Sequence, residues 1–273
     1  MPGQPIDKAV ILARGLGTRM RAADASAALT GDQAAVADLG LKAMIPIGRP
    51  FLDYVLTILA DAGYRQACLV IGPEHQRVRD YYRDLGPRRI EVSFAVQEQP
   101  KGTADALLAA EDFAQAQQVA VFNGDNYYPP QALRALREEL AGSGLVAFGR
   151  EGLLTGNIPA ERIRQFAIVQ TDGAGRMVRI VEKPSPREVA AAGQPVRVSM
   201  NCWRFRPVIF QACREVPPSS RGELELPDAA QLALSRYGEP FTVLHCEAPV
   251  LDLSSRADVA AVKCRLGGMK VNL

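Results

Sequence analysis

Residues 9–20 read AVILARGLGTRM, and this stretch decides the fold. Its apolar beginning, Ala9 to Ala13, lacks polar alternation, which predicts a short strand buried on both faces. The strand runs directly into Gly15 and Gly17, which tolerate positive φ and let a ligand approach the backbone closely. The backbone N–H groups of such a turn form a concave site for anionic oxygens, and Arg19 adds a planar, permanent cation. The stretch therefore predicts a nucleotide-phosphate site, with an ordinary turn as the alternative.

The composition limits the class of protein. The chain has 273 residues, 48% of them hydrophobic, which is enough for one large α/β domain or two small ones. Its 32 Lys and Arg nearly balance its 30 Asp and Glu, and a formal net charge of +2 argues against a nucleic-acid or membrane surface. No window approaches the roughly 20 apolar residues of a membrane span. We therefore expect a soluble, cytoplasmic protein that binds neither nucleic acid nor a membrane.

The cysteines and histidines form no recognisable metal or catalytic pattern. The five cysteines include no C-x-x-C pair, which is typical of reduced thiols in a cytosolic protein. The two histidines, His75 and His245, cannot supply a histidine-rich zinc site, and the sequence shows no Ser or Cys partner for either. A metal would therefore be held by carboxylates, which suits Mg²⁺.

Strands and helices alternate across the first half of the chain. The pattern predicts strands at 9–13, 68–72, 90–97, 119–122 and 145–148, and helices at 51–62, 74–85, 104–113 and 130–140. This order requires crossover connections and predicts a mostly parallel sheet flanked by helices. Ligands bind beyond the carboxyl ends of such strands, where Gly15, Gln97 and Asp125 all lie. We therefore expect these residues to share one site.

The remaining segments are less regular. Residues 21–41, rich in Ala and Asp, predict a mobile loop or a weak helix, and residues 42–50 predict a strand-like run closed by a turn. The second half predicts a hairpin at 166–181, strands at 196–205 and 241–246, and helices from 207, at 226–235 and at 255–266. No linker or internal repeat separates the halves, so one continuous domain over residues 1–273 is expected.

Two aspartates are candidate metal ligands. Asp125 follows Gly124 at the end of an apolar strand, where its carboxylate can face the cleft and hold Mg²⁺ against phosphate oxygens. The same residues are also typical of an Asx turn. Asp252 precedes Leu253 and Ser254, and it is either a second carboxylate ligand or the neighbour of a helix cap. The residues alone leave both alternatives open for Asp125, and for Asp252 they favour the neighbour of a cap.

Gln97, five residues before Gly102, is a candidate reader of a nucleobase. A carboxamide carries a donor and an acceptor, so it can satisfy uracil or thymine, and also adenine or cytosine. Guanine, with two adjacent donors, would be matched better by a carboxylate. The alternative is a surface glutamine at the end of a strand.

Three further polar residues are candidates for binding a phosphorylated sugar or its phosphates. Glu182 and Lys183 close a predicted strand, where Lys183 can grip a phosphate and Glu182 can accept hydrogen bonds from hydroxyl groups. Lys42 precedes a proline-closed turn and offers another cation. A charged pair is also a common way to solvate the end of a strand, and that alternative applies to all three.

Six motifs occur together and in order between residue 9 and about residue 260. They are LARGLGTRM at 12–20, Lys42 with Pro46 and Pro50, Gln97 with Gly102-Thr103-Ala104, Gly124-Asp125-Asn126, Glu182-Lys183-Pro184 and Asp252. Together they resemble the sugar-1-phosphate nucleotidylyltransferase family, which includes glucose-1-phosphate thymidylyl- and uridylyltransferases. The resemblance implies a Rossmann-like, GT-A-like α/β fold with a mostly parallel mixed sheet and an inserted, β-rich sugar-binding part. Residues 1–150 would mainly bind nucleotide, and residues 151–273 mainly sugar phosphate.

The resemblance also implies a role for each candidate. The implied catalytic residues are Arg19, Lys42, Asp125 and Lys183. The implied nucleotide-binding residues are Leu12, Ala13, Gly15, Gly17, Thr18, Gln97, Gly102 and Thr103. The implied sugar-phosphate residues are Glu182, Lys183 and Asn201. The implied Mg²⁺ ligands are Asp125 and Asp252.

The implied reaction joins an NTP to a sugar 1-phosphate and gives an NDP-sugar and pyrophosphate. Gln97 favours UTP or dTTP as the NTP. The sugar phosphate oxygen is already an anionic nucleophile, so the chemistry needs no general base. Its barrier lies in aligning two polyanions and stabilising the leaving pyrophosphate, which explains a site with Arg, Lys and carboxylates but no histidine.

The sequence departs from the family pattern at three places. Arg14 stands where the family usually has Ala or Gly, and it either reaches for phosphate or points away. Residues 21–41 are longer than the usual connection to the lysine. Asn201 replaces a customary small residue, which leaves the identity of the sugar open.

Three alternative functions remain. One is a cytidylyltransferase acting on a non-sugar phosphate such as phosphocholine, for which Trp203, Tyr127 and Tyr128 could form an aromatic cage. Another is a catalytically silent regulatory subunit, which the retained charged residues argue against. The third, a glycosyltransferase, needs an Asp-x-Asp motif where this chain has Asp125-Asn126-Tyr127. A homo-oligomer is compatible with the sequence, which does not determine the oligomeric state.

Overall fold

The apolar run at residues 9–13 forms the central strand of the main sheet. The computed structural model describes residues 4–24, 27–192 and 195–273. The strands are β1 Lys8–Leu12, β2 Gln66–Ile71, β3 Glu91–Val96, β4 Val119–Asn123, β5 Asn126–Tyr127, β6 Gly144–Gly149, β7 Ile168–Thr171, β8 Met177–Val181, β9 Arg197–Phe205, β10 Thr242–Cys246 and β11 Leu251–Asp252.

Helices connect nearly all of these strands. They are α1 Thr18–Arg21, α2 Gly31–Asp38, α3 Phe51–Asp61, α4 Gln76–Leu85, α5 Thr103–Ala109, α6 Glu111–Ala114, α7 Pro130–Glu138, α8 Arg150–Leu154, α9 Ala160–Ile163, α10 Pro186–Ala191, α11 Val208–Glu215, α12 Leu226–Tyr237 and α13 Asp258–Leu266, with a 3-10 helix at Lys42–Met44. Among the described residues, no helix is long and apolar enough to cross a membrane.

The main sheet has the strand order β10-β6-β9-β4-β1-β2-β3. Strands β1 to β4 pair in parallel, as do β6 and β10. The long strand β9 runs antiparallel to β4 and β6 in the middle of the sheet. The hairpin β7–β8 attaches to β9, and β5 pairs with β11 outside the main sheet. The expected mixed, mostly parallel sheet with flanking helices and a β-rich insertion is confirmed.

Alternate residues of the central strands pack into two cores. In β1, Ala9 and Ile11 belong to the core that includes α3 and α7, whereas Val10 belongs to the core that includes α5, α11 and α12. All three side chains are fully buried. A strand covered on both faces needs no polar alternation, and this explains the apolar run in the sequence.

The strand predicted at residues 42–50 is wrong. The segment forms a 3-10 helix at Lys42–Met44 and an isolated bridge between Pro46 and Pro50. Proline has no backbone N–H to donate to a ladder, so two prolines four residues apart prevent a regular strand.

Residues 21–41 contain the short helix α2, where the sequence predicts a loop or a weak helix. The side chain of Thr30 accepts a hydrogen bond from the Gln33 N–H, and the Gln33 side chain accepts one from the Thr30 N–H. This reciprocal capping box explains why a segment without apolar periodicity becomes helical. The part of the prediction that falls on residues 25 and 26 lies outside the described residues.

The end of this segment packs against residues 12–18, which we call the signature turn. Gly17 has φ of 62°, and a Cβ there would lie 2.4 Å from the Gly40 carbonyl oxygen. Glycine is therefore required at residue 17 both by the backbone conformation and by the close approach of residue 40. The contact places Lys42 beside the turn.

Candidate active site

Two adjoining cavities open where β1, β4 and β8 end. The larger has a volume of about 410 Å³ and the smaller about 160 Å³. Both are lined by Arg19, Asn123, Asp125, Glu182, Asn201, Pro227 and Ser254. The carboxyl ends of the strands thus converge on one cleft, as the topology predicts.

The signature turn forms one wall of the larger cavity. The five residues of the turn that are predicted as nucleotide-binding all line it: Leu12, Ala13, Gly15, Gly17 and Thr18. A Cβ on Gly15 would lie 3.8 Å from the Lys42 Nζ, so the lysine ammonium lies directly against the turn. Arg19 lies in α1, is exposed, and has no hydrogen bond or ion pair within the described parts of the chain. An unpaired cation and free backbone amides beside a lysine make this wall suitable for phosphate.

Lys42 and Asp125 form an ion pair across the cleft. Their side chains are 17% and 19% exposed, so the pair is partly shielded from water and its attraction is less screened than on an open surface. The hydrogen bond of the Gly124 N–H to the Leu12 carbonyl, 2.9 Å long, holds the turn before Asp125 against β1. The predicted phosphate-binding lysine and the predicted metal ligand therefore lie together.

Asp252 lies next to Asp125 through the pairing of β11 with β5. Its Oδ1 accepts hydrogen bonds from the Asn126 Nδ2 at 3.1 Å and the Ser254 Oγ at 2.7 Å. Its Oδ2 accepts one from the Arg162 Nη1 at 2.7 Å. Burial, together with the negative charge of Asp125, raises the pKa of Asp252. The two carboxylates are thus close enough to repel each other, which favours a cation between them.

The carboxylate that binds backbone N–H groups at the start of α13 belongs to Asp258 and not to Asp252. The Asp258 Oδ2 accepts hydrogen bonds from the Ser254 N–H at 3.1 Å and the Ser255 N–H at 2.7 Å, in front of α13. Asp252 makes no such contact and lines the smaller cavity instead. Of the two interpretations of Asp252, the neighbour of a helix cap has no such contact to support it, and the metal ligand stays a prediction.

Gln97 and Gly102 lie together in the larger cavity with Thr103. The Gln97 Nε2 donates to the Gly102 carbonyl at 3.0 Å and to the Asp105 Oδ2 at 2.7 Å. Gly102 has φ of 119°, and a Cβ there would lie 2.4 Å from the Leu224 carbonyl oxygen. The need for glycine at this position thus comes at least partly from the packing of residue 224.

Arg14 neither reaches for the phosphate wall nor points away from the site. Its side chain is buried, with 7% exposed. The Nε donates to the Gln97 carbonyl at 2.7 Å and the Nη2 to the Glu98 carbonyl at 3.3 Å, while Glu74 lies 3.5 Å from the same Nη2. Arg14 therefore binds the backbone of the segment that carries the predicted base-reading glutamine.

Glu182 and Asn201 line both cavities on the side away from the turn. Burial and the negative charge of Glu225 raise the pKa of Glu182 to about 7. Asn201 has a positive φ of 55°, and its side chain accepts from the Trp203 Nε1 at 3.1 Å and donates to the Asn123 Oδ1 at 3.2 Å. A non-glycine residue in this conformation is uncommon and is often found at functional sites.

Every predicted site residue lines one of the two cavities except Lys183. It is exposed, has a positive φ of 46°, and lines neither cavity. Its predicted contact with a sugar phosphate stays a prediction.

Sequence reasoning missed several residues that line the larger cavity. They are Arg221, Glu223 and Glu225, which precede α12, and Asn123 at the end of β4. Arg221 pairs with both glutamates. The dense charge in RGELE at 221–225 was an available signal, but nothing in the sequence indicates that this segment folds over Gly102. Asn123 was detectable as a polar residue that ends an apolar strand.

The fold and the cleft are those of a nucleotidyl transferase. Residues 8–244 match the family model described as Nucleotidyl transferase, and the chain belongs to that family. The crystal structure of UDP-glucose pyrophosphorylase complexed with UDP-glucose has the same fold, with a TM-score of 0.73 and 18% sequence identity over 97% of this chain and 100% of that one.

Curated relatives include UTP–glucose-1-phosphate uridylyltransferase AglF of Haloferax volcanii, which is 27% identical over 95% of this chain and 96% of its own length. A glucose-1-phosphate thymidylyltransferase of an Actinoplanes strain is 29% identical over 92% of this chain and 75% of its own length. The low-salt glycan biosynthesis nucleotidyltransferase Agl11 of Haloferax volcanii is 27% identical over 83% of this chain, which spans 57% of that longer relative.

Proposed function

We propose that this protein transfers a nucleotidyl group from UTP or dTTP to a sugar 1-phosphate, giving an NDP-sugar and pyrophosphate. One observation carries the proposal: a single cleft collects Arg19, Lys42, Asp125 and Glu182 beside the signature turn. The family membership and the relatives named for uridylyl and thymidylyl transfer to glucose 1-phosphate support the same reaction.

The residues of the cleft suit a reaction that depends on positioning. Arg19 and Lys42 would hold the triphosphate against the N–H groups of the signature turn, in line with an oxygen of the sugar phosphate. That oxygen is already ionised, so no side chain has to remove a proton from it. Neither His75 nor His245 lines the cleft, in accord with this mechanism. Fixed cations that meet the developing charge on pyrophosphate would supply most of the remaining stabilisation.

The carboxylates of the cleft fit Mg²⁺. Asp125 and Asp252 offer oxygen ligands. Burial and, after it, the negative charge of Asp125 raise the pKa of Asp252, and a divalent cation would relieve the repulsion between the two carboxylates. Within the described ranges no three His, Cys, Asp or Glu side chains gather into a metal site. Phosphate oxygens and water would therefore complete the coordination, which is usual for Mg²⁺. When bound, the cation would neutralise phosphate charge.

The phosphocholine alternative lacks its recognition element. Trp203 is fully buried and stacks on Phe205 with ring centroids 5.1 Å apart. Tyr127 and Tyr128 are buried, and none of these three rings lines either cavity. Aromatic rings that face a core cannot form a cage around a quaternary ammonium group. The cleft therefore favours a sugar phosphate over a choline phosphate.

A pyrophosphate-release assay across a panel of NTPs and sugar 1-phosphates tests the proposed function. We expect turnover with UTP or dTTP and a hexose 1-phosphate in the presence of Mg²⁺. Turnover with CTP and phosphocholine instead would establish the alternative. Binding of nucleotide without turnover of any pair would favour the silent regulatory subunit.

A further inference from the structure

The side chain of Gln97 is held in one orientation by two acceptors. Its Nε2 donates to the Gly102 carbonyl at 3.0 Å and to the Asp105 Oδ2 at 2.7 Å. A carbonyl oxygen and an ionised carboxylate accept hydrogen bonds but cannot donate them. Rotating the carboxamide by half a turn would therefore place the Gln97 Oε1 against two oxygens. The amide orientation follows from its partners and is not an arbitrary assignment.

The same two contacts use both N–H groups of the Gln97 amide. The Oε1, in contrast, accepts no hydrogen bond from the described part of the chain, and Gln97 lines the larger cavity. Towards a bound nucleotide, Gln97 therefore presents an acceptor and no donor. A carboxamide normally offers both, so this restriction is a property of the surroundings of Gln97.

Arg14 fixes the backbone of Gln97 from the other side. It donates to the carbonyls of Gln97 and Glu98, while its Nη1 is buried and has no hydrogen-bond partner among the described residues. A buried donor left unpaired is costly and rare in folded proteins. Together with the ion pair to Glu74, the two carbonyl contacts hold this guanidinium in the site, and they hold Gln97 at the cavity wall.

We infer that Arg14 and Asp105 are positioning residues that set the preference of the cleft for uracil or thymine over cytosine, an inference that rests on the proposed function. They hold Gln97 so that its Oε1 meets the Watson–Crick edge of the base. Uracil and thymine carry a donor, N3–H, at that edge. Cytosine has an acceptor at N3, which faces the Gln97 oxygen in the same pose. The pair therefore selects UTP or dTTP over CTP.

The substitution Asp105→Asn tests the inference. It keeps the shape of the side chain but replaces a charged acceptor with an amide that can donate or accept, so the Gln97 carboxamide is free to turn. A hydrogen bond to a charged group is stronger than one to a neutral group, and the difference corresponds to about a fivefold or larger change in affinity. We expect the ratio of UTP affinity to CTP affinity to fall by about fivefold or more. The gain in CTP affinity should be larger than the loss in UTP affinity.

Isothermal titration calorimetry with UTP and CTP in the presence of Mg²⁺ measures this ratio without requiring turnover. Asp112→Asn, at an exposed position of α6, is the matched control and leaves the ratio unchanged. Arg14→Met is the second variant, and we expect it to lower the same ratio because the Gln97 backbone is released. Melting temperatures check that each variant is folded.

The two proposals can fail separately in these experiments. If no NTP and sugar phosphate pair gives pyrophosphate but the UTP preference depends on Asp105, the proposed function is wrong and the specificity inference stands. If both nucleotides lose affinity by the same factor in Asp105→Asn and Arg14→Met, these residues only support the fold and the inference is overturned. An unchanged ratio in both folded variants overturns it as well.

Discussion

The two sides of the cleft are built differently. The side formed by the signature turn, Lys42 and Gln97 rests on β1, which pairs along its length with β2 and β4 and is buried on both faces. The side formed by Glu182 and Lys183 follows the hairpin β7–β8, which pairs with β9 through Ile168 and Val169 and bridges to β10 between Arg176 and Thr242. The first side therefore rests on a strand paired along its length with two neighbours, and the second on shorter pairings at the edge of the hairpin.

The charged side chains on the two sides also differ, in how far they are paired within the protein. On the turn side, Asp125 is paired with Lys42, and the polar atoms of Gln97 and Arg14 are mostly engaged with the protein. On the hairpin side, Glu182 lies near another carboxylate and Lys183 lies outside the cavities. Under the proposed function, the turn side would be a preformed nucleotide site and the hairpin side a sugar-phosphate site completed only when its ligand binds.

The largest expected effect is at Asp125, which lines both cavities. Asp125→Asn removes the charge that pairs with Lys42 and one of the two carboxylates proposed to hold Mg²⁺. We expect kcat/KM for the proposed transfer to fall about 10³-fold, with the protein still folded. Pyrophosphate release at saturating Mg²⁺ measures the loss, and Asp112→Asn is the control. A loss below tenfold would remove Asp125 from the proposed machinery.

The next test separates the two cations. Arg19 lines the cleft, whereas Lys183 does not, so they should act on different ligands. We expect Arg19→Met to weaken binding of UTP, measured without sugar phosphate, about tenfold or more, since it removes a charge-assisted hydrogen bond. Lys183→Met should leave UTP binding within about twofold and raise the KM for the sugar 1-phosphate about tenfold. Equal effects of both variants on UTP binding would contradict the division into two sides.

The turn side was largely predictable from the sequence because its residues directly follow strands. Once β1 and β4 are recognised, the carboxyl ends of parallel strands must bring Gly15 and Asp125 to one edge. The sequence could not show that Leu224 packs against Gly102, or that Arg14 binds the backbone of Gln97, because these contacts join segments far apart in the chain.

The errors have local physical causes. The strand predicted at residues 42–50 failed because apolar residues suggested a ladder that Pro46 and Pro50 interrupt. Asp258, the first residue of α13, accepts hydrogen bonds from the backbone N–H groups of Ser254 and Ser255. The sequence could not show that this contact belongs to Asp258 and not to Asp252, since both carboxylates lie close to the start of the helix. Whether Lys183 reaches a phosphate depends on the placement of the hairpin, which no local pattern specifies.

Two glycines of the turn test how rigid that side is. Gly17→Ala would place a Cβ 2.4 Å from the Gly40 carbonyl oxygen at a positive φ, and we expect it to lower the free energy of unfolding by about 2–3 kcal/mol. Gly15→Ala meets only the end of the Lys42 side chain at 3.8 Å and should change stability by about 0.5 kcal/mol or less. Urea unfolding of both variants measures the difference, and equal losses would contradict the close packing of residues 17 and 40.

The smallest expected effect concerns the hairpin side and depends on pH. Burial and Glu225 raise the pKa of Glu182 from 4.5 to about 7, so between these values the folded protein holds a proton that the unfolded chain has released. The contribution of Glu182 to stability therefore decreases as pH rises from about 4.5 to 7 and is constant above that range. The Glu182→Gln variant does not lose stability in this way as pH rises, because the glutamine side chain carries no charge at any pH.

Relative to the native protein, the free energy of unfolding of Glu182→Gln should rise by about 1–2 kcal/mol between pH 5 and pH 8, since one pKa unit corresponds to about 1.4 kcal/mol and partial exposure screens part of it. Urea unfolding at the two pH values measures the change, with Glu161→Gln, at an exposed position of α9, as the control. A difference that does not vary with pH would mean that Glu182 is well solvated. The hairpin side would then hold no buried charge that a ligand could neutralise. The two sides would differ only in how they pair with the rest of the sheet.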